Sequence, residues 1–87
     1  MKQIDIYTTA YCPYCVRAKM LLERKGVAYR EFRVDGSSGV SRAEVVKRSG
    51  GLRTVPQIFI GDVHVGGFDE LASLEREGGL DALFSGE

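Results

Sequence analysis

The chain holds two cysteines, Cys12 and Cys15, with Pro13 and Tyr14 between them. A disulfide needs Cα atoms within about 7 Å of each other. If the pair opens a helix, positions i and i+3 lie on one side with Cβ atoms about 5–6 Å apart, and a small adjustment closes the bond. In that place the sulfur of Cys12 meets backbone N–H groups that have no partner inside the helix. Those donors, with the positive end of the helix dipole, favour a thiolate over a thiol. Pro13 suits the first helical position, because its missing N–H would have gone unpaired there anyway. Tyr14 sets an aromatic ring and a hydroxyl beside the reactive sulfur. The chemistry such a pair performs is thiol–disulfide exchange.

Two other uses of the pair are weaker. A zinc site needs about four ligands, and the one further soft candidate is His64. A purely structural disulfide closing so short a loop would constrain the unfolded chain little. A C-x-x-C pair near a strand–helix–strand pattern is instead a signal for redox work.

The elements that position the pair follow from the flanking pattern. Ile4-Asp5-Ile6-Tyr7 is a short strand with the β-branched residues on one face and Asp5 and Tyr7 on the other. A helix is expected from Val16 to Lys25, with Val16, Met20 and Leu21 at helical spacing, Ala18 and Leu22 widening the apolar stripe, and Lys25-Gly26 as its stop. Val27 to Val34 reads as the second strand, followed by a loop over residues 35–39. Ser41 and Glu44 match a capping box for a helix from Arg42 to Ser49, with Val45 and Val46 inward and Gly50-Gly51 as its end. The most apolar strand is Gln57-Ile58-Phe59-Ile60; Gly61-Asp62 turns the chain and Val63-His64-Val65 returns antiparallel. Asp69 is expected to cap a third helix with Leu71 and Leu74 inward and Gly78-Gly79 as its end. Leu80, Leu83 and Phe84 suggest a last short helix. The order is β-α-β-α-β-β-α, and its first half calls for parallel strands.

The 87 residues suit one small domain with one core, spanning residues 1–87 without repeat or linker. Twelve basic and twelve acidic side chains cancel, so no nucleic-acid partner is expected. No apolar run approaches the length of a membrane span, and the first residues hold no apolar segment long enough for a secretory signal. A cytoplasmic setting is therefore expected, where thiols stay reduced and a C-x-x-C pair is catalytic more often than structural.

Other segments offer groups to the site. Pro56 starts a strand, a place where a sheet accepts proline. The Val55-Pro56 bond is either an ordinary trans bond or a cis bond that exposes the Val55 backbone to an extended peptide. Gly66-Gly67-Phe68-Asp69 is either a tight turn with a routine cap or a carboxylate site on free backbone N–H groups, with Asp69 accepting from an amine. Arg53 is either a solvated loop cation or a carboxylate clamp. His64 sits on a hairpin, and it is assigned no role.

Taken together these segments resemble a dithiol glutaredoxin of the small bacterial glutaredoxin-3 type. Cys12-Pro13-Tyr14-Cys15 matches that family's active-site sequence and Thr54-Val55-Pro56 its cis-proline motif. Gly66-Gly67-Phe68-Asp69-Glu70-Leu71 matches its third glutathione-contact segment. Lys47-Arg48-Ser49-Gly50 and the strand after Pro56 agree as well. The resemblance covers essentially the whole chain. It implies a thioredoxin fold, a four-stranded mixed sheet flanked by helices, and a glutathione-dependent thiol–disulfide oxidoreductase. Cys12 would be the nucleophile and Cys15 the resolving thiol. Glutathione, a co-substrate rather than a bound cofactor, would lie against Tyr14, Thr54, Val55, Pro56, Gly67, Phe68 and Asp69, with Arg53 toward its glycine carboxylate. The implied partners are disulfide-containing or glutathionylated proteins, ribonucleotide reductase among the candidates, met by a monomer that holds no metal. One departure stands out: Thr9 replaces the lysine that many members carry three residues before the first cysteine. Two competing functions remain, a redoxin served by thioredoxin reductase and an iron–sulfur carrier bridged through Cys12. Tyr14 and the Gly67-Phe68-Asp69 pattern argue against the first, Pro13 and the Cys15 thiol against the second.

Overall fold

The computed structural model describes residues 2–35, 42–51 and 54–85. Its elements are β1 (Ile4–Thr8), α1 (Pro13–Arg24), β2 (Arg30–Arg33), α2 (Arg42–Arg48), β3 (Gln57–Ile60), β4 (Val63–Gly66), α3 (Phe68–Glu77) and α4 (Leu80–Ser85). The four strands form one sheet in the order β2-β1-β3-β4. β1 runs parallel to β2, with Tyr7 opposite Phe32, and antiparallel to β3, with Ile6 opposite Ile58. β3 and β4 form the expected hairpin, with an irregularity between Ile58 and Phe59.

Strand alternation sorts the core into two layers. Ile4, Ile6, Ile58 and Ile60 face Ala18, Leu21 and Leu22 of α1, Leu71 of α3, and Leu80 and Phe84 of α4. On the other face Tyr7, Phe59 and Val34 pack with Val45 of α2. Both faces of β1 are therefore buried, including Asp5, which takes hydrogen bonds from Arg30 and Arg48. The N–H of Lys2 donates to the carbonyl of Phe84 at 2.8 Å and ties α4 to the start of β1.

Several expectations need correction. Val16 and Met20 do not face the core; they are 50% and 52% exposed. The buried face of α1 is Cys15, Ala18, Leu21 and Leu22. At about 100° per residue, Val16 and Met20 fall roughly opposite that face. β2 is shorter than the expected 27–34, because Val27 is used to close α1: Gly26 turns left-handed at φ 73° and the Val27 N–H reaches back to the Leu22 carbonyl. α1 itself starts earlier than Val16, at Pro13, and α2 buries Val45 but leaves Val46 half-buried. The capping box is expected at Ser41, and Ser41 lies outside the described residues, as does most of the loop before it.

Candidate functional site

Cys12 is the N-cap of α1 in extended conformation, and Pro13 takes the first helical position. The chain enters through a turn at Ala10 and Tyr11. The Ala10 N–H donates to Asp35 Oδ2 at 2.9 Å, and Tyr11 holds φ 57° with its side chain fully exposed. The Arg33 guanidinium on Asp35, with the Ala10 N–H, holds that carboxyl far below the usual range, at about 2. Cys12 and Cys15 are joined in a disulfide with Cα atoms 5.2 Å apart. Cys15 is buried at 2% exposure, while Cys12 stays half-exposed. The Cys15 N–H donates to Cys12 Sγ at 3.1 Å, and the first turn of α1 carries no acidic residue. The sulfur at the protein surface thus sits on an uncompensated helix N-terminus.

Two grooves flank this sulfur. One, of about 330 Å³, is lined by Tyr14 of α1, by Thr54, Val55 and Pro56 before β3, and by Gly67, Phe68, Asp69 and Glu70 at the start of α3. Three segments far apart in sequence meet there because α1 and α3 lie side by side on one face of the sheet. The Val55-Pro56 bond is cis, and the Val55 carbonyl oxygen lies 3.9 Å from Cys12 Sγ. Tyr14 and Phe68 stand with ring centroids 6.3 Å apart, and the Arg17 guanidinium lies over the Tyr14 ring. A Cβ on Gly67 would stand 3.5 Å from the Pro56 carbonyl oxygen, so two walls of the groove approach closely at this residue.

The start of α3 differs from expectation. Its N-cap is Gly67, not Asp69, and the Glu70 carboxylate accepts from the Gly67 N–H at 2.7 Å. Asp69 stands exposed in the first turn beside backbone N–H groups that lack intrahelical partners. All the residues expected to touch glutathione line this groove except Arg53, which with Leu52 lies outside the described residues.

The second groove, of about 450 Å³, lies on the other side of Cys12 and includes Thr9, Tyr11, Val16, Lys19, Glu31 and Arg33. Thr9 thus occupies a wall of this groove. Lys19 also lies here, paired with Glu31 at 3.1 Å. Burial pushes the Glu31 carboxyl up, but hydrogen bonds from Thr8 and Lys19 outweigh it and leave it below its ordinary value.

The sequence pattern assigned no role to Gln57, which is bonded to Thr54 in the wall of the first groove. Gln57 is 1% exposed and ties its amide to Thr54 and to His64. The available signal was a Gln opening the most apolar strand, where an amide without partners would be costly.

A mixed four-stranded sheet with helices on both faces, and a disulfide-forming C-x-x-C at the start of α1, define a thioredoxin-like thiol–disulfide oxidoreductase. The chain belongs to the glutaredoxin family: the Glutaredoxin family model matches residues 4–65. It is 56% identical over 85 residues to Glutaredoxin of Pseudomonas aeruginosa, covering 98% of this chain and 99% of that protein. It is 52% identical over 83 residues to Glutaredoxin 3 of Escherichia coli K12, covering 95% and 98%. Among solved structures, the solution structure of glutaredoxin from Brucella melitensis superposes with a TM-score of 0.82 at 51% identity, covering 100% of this chain and 94% of that one. The buckwheat glutaredoxin–glutathione complex superposes at 0.85 with 31% identity, covering 97% and 77%.

Proposed function

We propose that this protein is a glutathione-dependent oxidoreductase in which Cys12 is the nucleophile and Cys15 the resolving thiol. The observation that carries this is the position of Cys12: half-exposed, its Sγ facing the Cys15 N–H and 3.9 Å from the carbonyl oxygen of Val55, which lines the groove shared by Tyr14 and Phe68. In the reduced protein the Cys12 thiolate attacks one sulfur of a substrate disulfide. A Cys12–substrate bond forms, and the other sulfur leaves as a thiolate. With a protein disulfide, the Cys15 thiolate then attacks Cys12 Sγ and releases the second substrate thiol, leaving the Cys12–Cys15 disulfide. Two glutathione molecules restore the dithiol and leave as glutathione disulfide. With a glutathionylated protein, Cys12 takes the glutathionyl group, and a second glutathione thiolate attacks that sulfur and frees Cys12.

The groove's volume and lining support glutathione as its occupant, as does the likeness to the buckwheat glutaredoxin–glutathione complex. The Val55 backbone would pair with the cysteinyl unit as an added strand. Thr54 and Pro56 shape that wall, Tyr14 covers one side, and Gly67 allows close approach. The N–H groups at Phe68 and Asp69 meet the γ-glutamyl carboxylate, and the Asp69 carboxylate its amine. Arg53 serves the glycine carboxylate. Disulfide-containing and glutathionylated proteins are the substrates, with ribonucleotide reductase a candidate, and the protein works as a cytoplasmic monomer without a resident cofactor or metal. No helix among the described residues is long and apolar enough to cross a membrane.

The test is turnover with glutathione and its reductase. Cys12→Ser abolishes activity on both substrate types. Cys15→Ser loses protein-disulfide reduction and keeps deglutathionylation. Loss of both in Cys15→Ser with retention of one in Cys12→Ser would reverse the roles.

A further inference from the structure

Gln57 opens β3 and its side chain is enclosed. A buried amide needs partners at both ends. Its nitrogen donates to the Thr54 carbonyl oxygen at 2.9 Å and to the Thr54 hydroxyl oxygen at 3.2 Å. Both amide hydrogens are then committed to the loop, and the amide oxygen accepts. Its partner is His64 Nε2, 2.7 Å away on β4. That assignment puts an imidazole hydrogen on Nε2. His64 is itself held in place: its ring stacks on Phe59 at 4.8 Å, and the Arg48 guanidinium lies over the Phe59 ring at 4.0 Å.

The chain of contacts runs from the edge strand of the sheet to the wall of the groove. Thr54 is the residue before Val55, and the Val55 carbonyl faces Cys12 Sγ. We propose that His64 and Gln57 are positioning residues for the glutathione groove. His64 fixes the orientation of the Gln57 amide, and Gln57 pins Thr54, so that the Val55 backbone is already in place when an extended thiol tripeptide arrives. Preorganisation of this kind raises affinity by removing the cost of ordering the loop on binding. The inference rests on glutathione occupying this groove.

The test uses two probes on the full chain: a glutathionylated peptide with glutathione as reductant, and a peptide disulfide without glutathione, reduced by dithiothreitol. His64→Phe keeps a ring on Phe59 and removes the Nε2 donor. Gln57→Met keeps the volume and removes the amide. The KM for the glutathionylated peptide is expected to rise about five- to tenfold in either variant, the worth of one or two lost hydrogen bonds. Its kcat, and turnover of the glutathione-free probe, stay within about twofold. His64→Gln restores a donor near the Nε2 position and recovers most of the KM. A merely structural role would lower both probes together and would not be rescued selectively. If Gln57→Met does not fold, the half-buried His64 variants decide. A wild-type protein with no preference for the glutathionylated probe would sink the occupancy of the groove and this inference with it. A wild type that prefers it, with variants that keep its KM, would overturn the positioning role alone.

Discussion

The backbone N–H of Cys15 points at Sγ of Cys12 over 3.1 Å. The helix thus directs a first-turn donor, and the positive end of its dipole, at the accessible sulfur. No Asp or Glu occupies the first turn of α1 to offset them there. Val16 lies one turn past Cys12 and shares the second groove with it. Because Val16 is exposed, a charge placed there changes the field at the sulfur without disturbing the core. Val16→Glu is expected to slow alkylation of Cys12 at neutral pH by roughly two- to fivefold, and Val16→Lys to leave it equal or faster. The difference shrinks in high salt, because the pair is exposed. Equal rates for both variants at low salt would show that the helix terminus does not control the thiolate.

Gly66 and Glu70 make a second coupled pair. Gly66 has φ 115°, and a Cβ there would come within 2.8 Å of Glu70 Oε1. That oxygen is the acceptor for the Gly67 N–H. Gly66→Ala is therefore expected to cost about 2 kcal/mol, from strained backbone and a displaced cap together. Glu70→Ala alone costs about 1 kcal/mol, the worth of the capping bond. The double variant should cost less than the sum, since the displaced carboxylate is lost only once. Urea denaturation of the four proteins measures this. Strict additivity would mean that the Cβ does not meet the carboxylate.

These two relationships also show what the sequence could and could not reveal. The cysteine pair, Pro13 at the helix start, the hairpin turn and the glycine stops were legible because each depends on a few adjacent residues. The cis Val55-Pro56 bond was not settled by local rules, and only the family resemblance favoured it. The buried face of α1 was misread because two apolar sets share helical spacing. Val16 and Met20 form one; Cys15, Ala18, Leu21 and Leu22 form the other. The sheet selects the second set, whose small residues allow α1 to lie close against Ile4 and Ile6. Asp69 drew attention as a common cap, whereas the cap that forms uses Gly67 with Glu70 three residues on. Gln57 and His64 meet only after the hairpin closes, so no spacing rule announces them.

Acid should reach the turn before Cys12 through Asp35. The Arg33 guanidinium and the Ala10 N–H lower this carboxyl from 3.8 to about 2. Asp5 is also lowered: burial pushes it up, but hydrogen bonds from Arg30 and Arg48 outweigh burial. A carboxyl whose folded value is depressed contributes stability that is complete above its unfolded value. The contribution disappears as pH falls through the folded value. For Asp35 that window runs from about pH 4 down to about pH 2. The urea midpoint of the wild type is expected to fall as pH drops through that window. Asp35→Asn flattens the fall and costs little at neutral pH, because the Arg33 pair is exposed. Asp5→Asn should cost more, about 2 kcal/mol, since it leaves two guanidinium groups against a buried neutral amide, though both still reach solvent. Asp35→Asn also removes the stronger acceptor for the Ala10 N–H, so hydrogen exchange at that amide should quicken while the β1 amides keep their protection. An unchanged acid limb in Asp35→Asn, with slow exchange at Ala10, would remove Asp35 as the anchor of the turn that delivers Cys12.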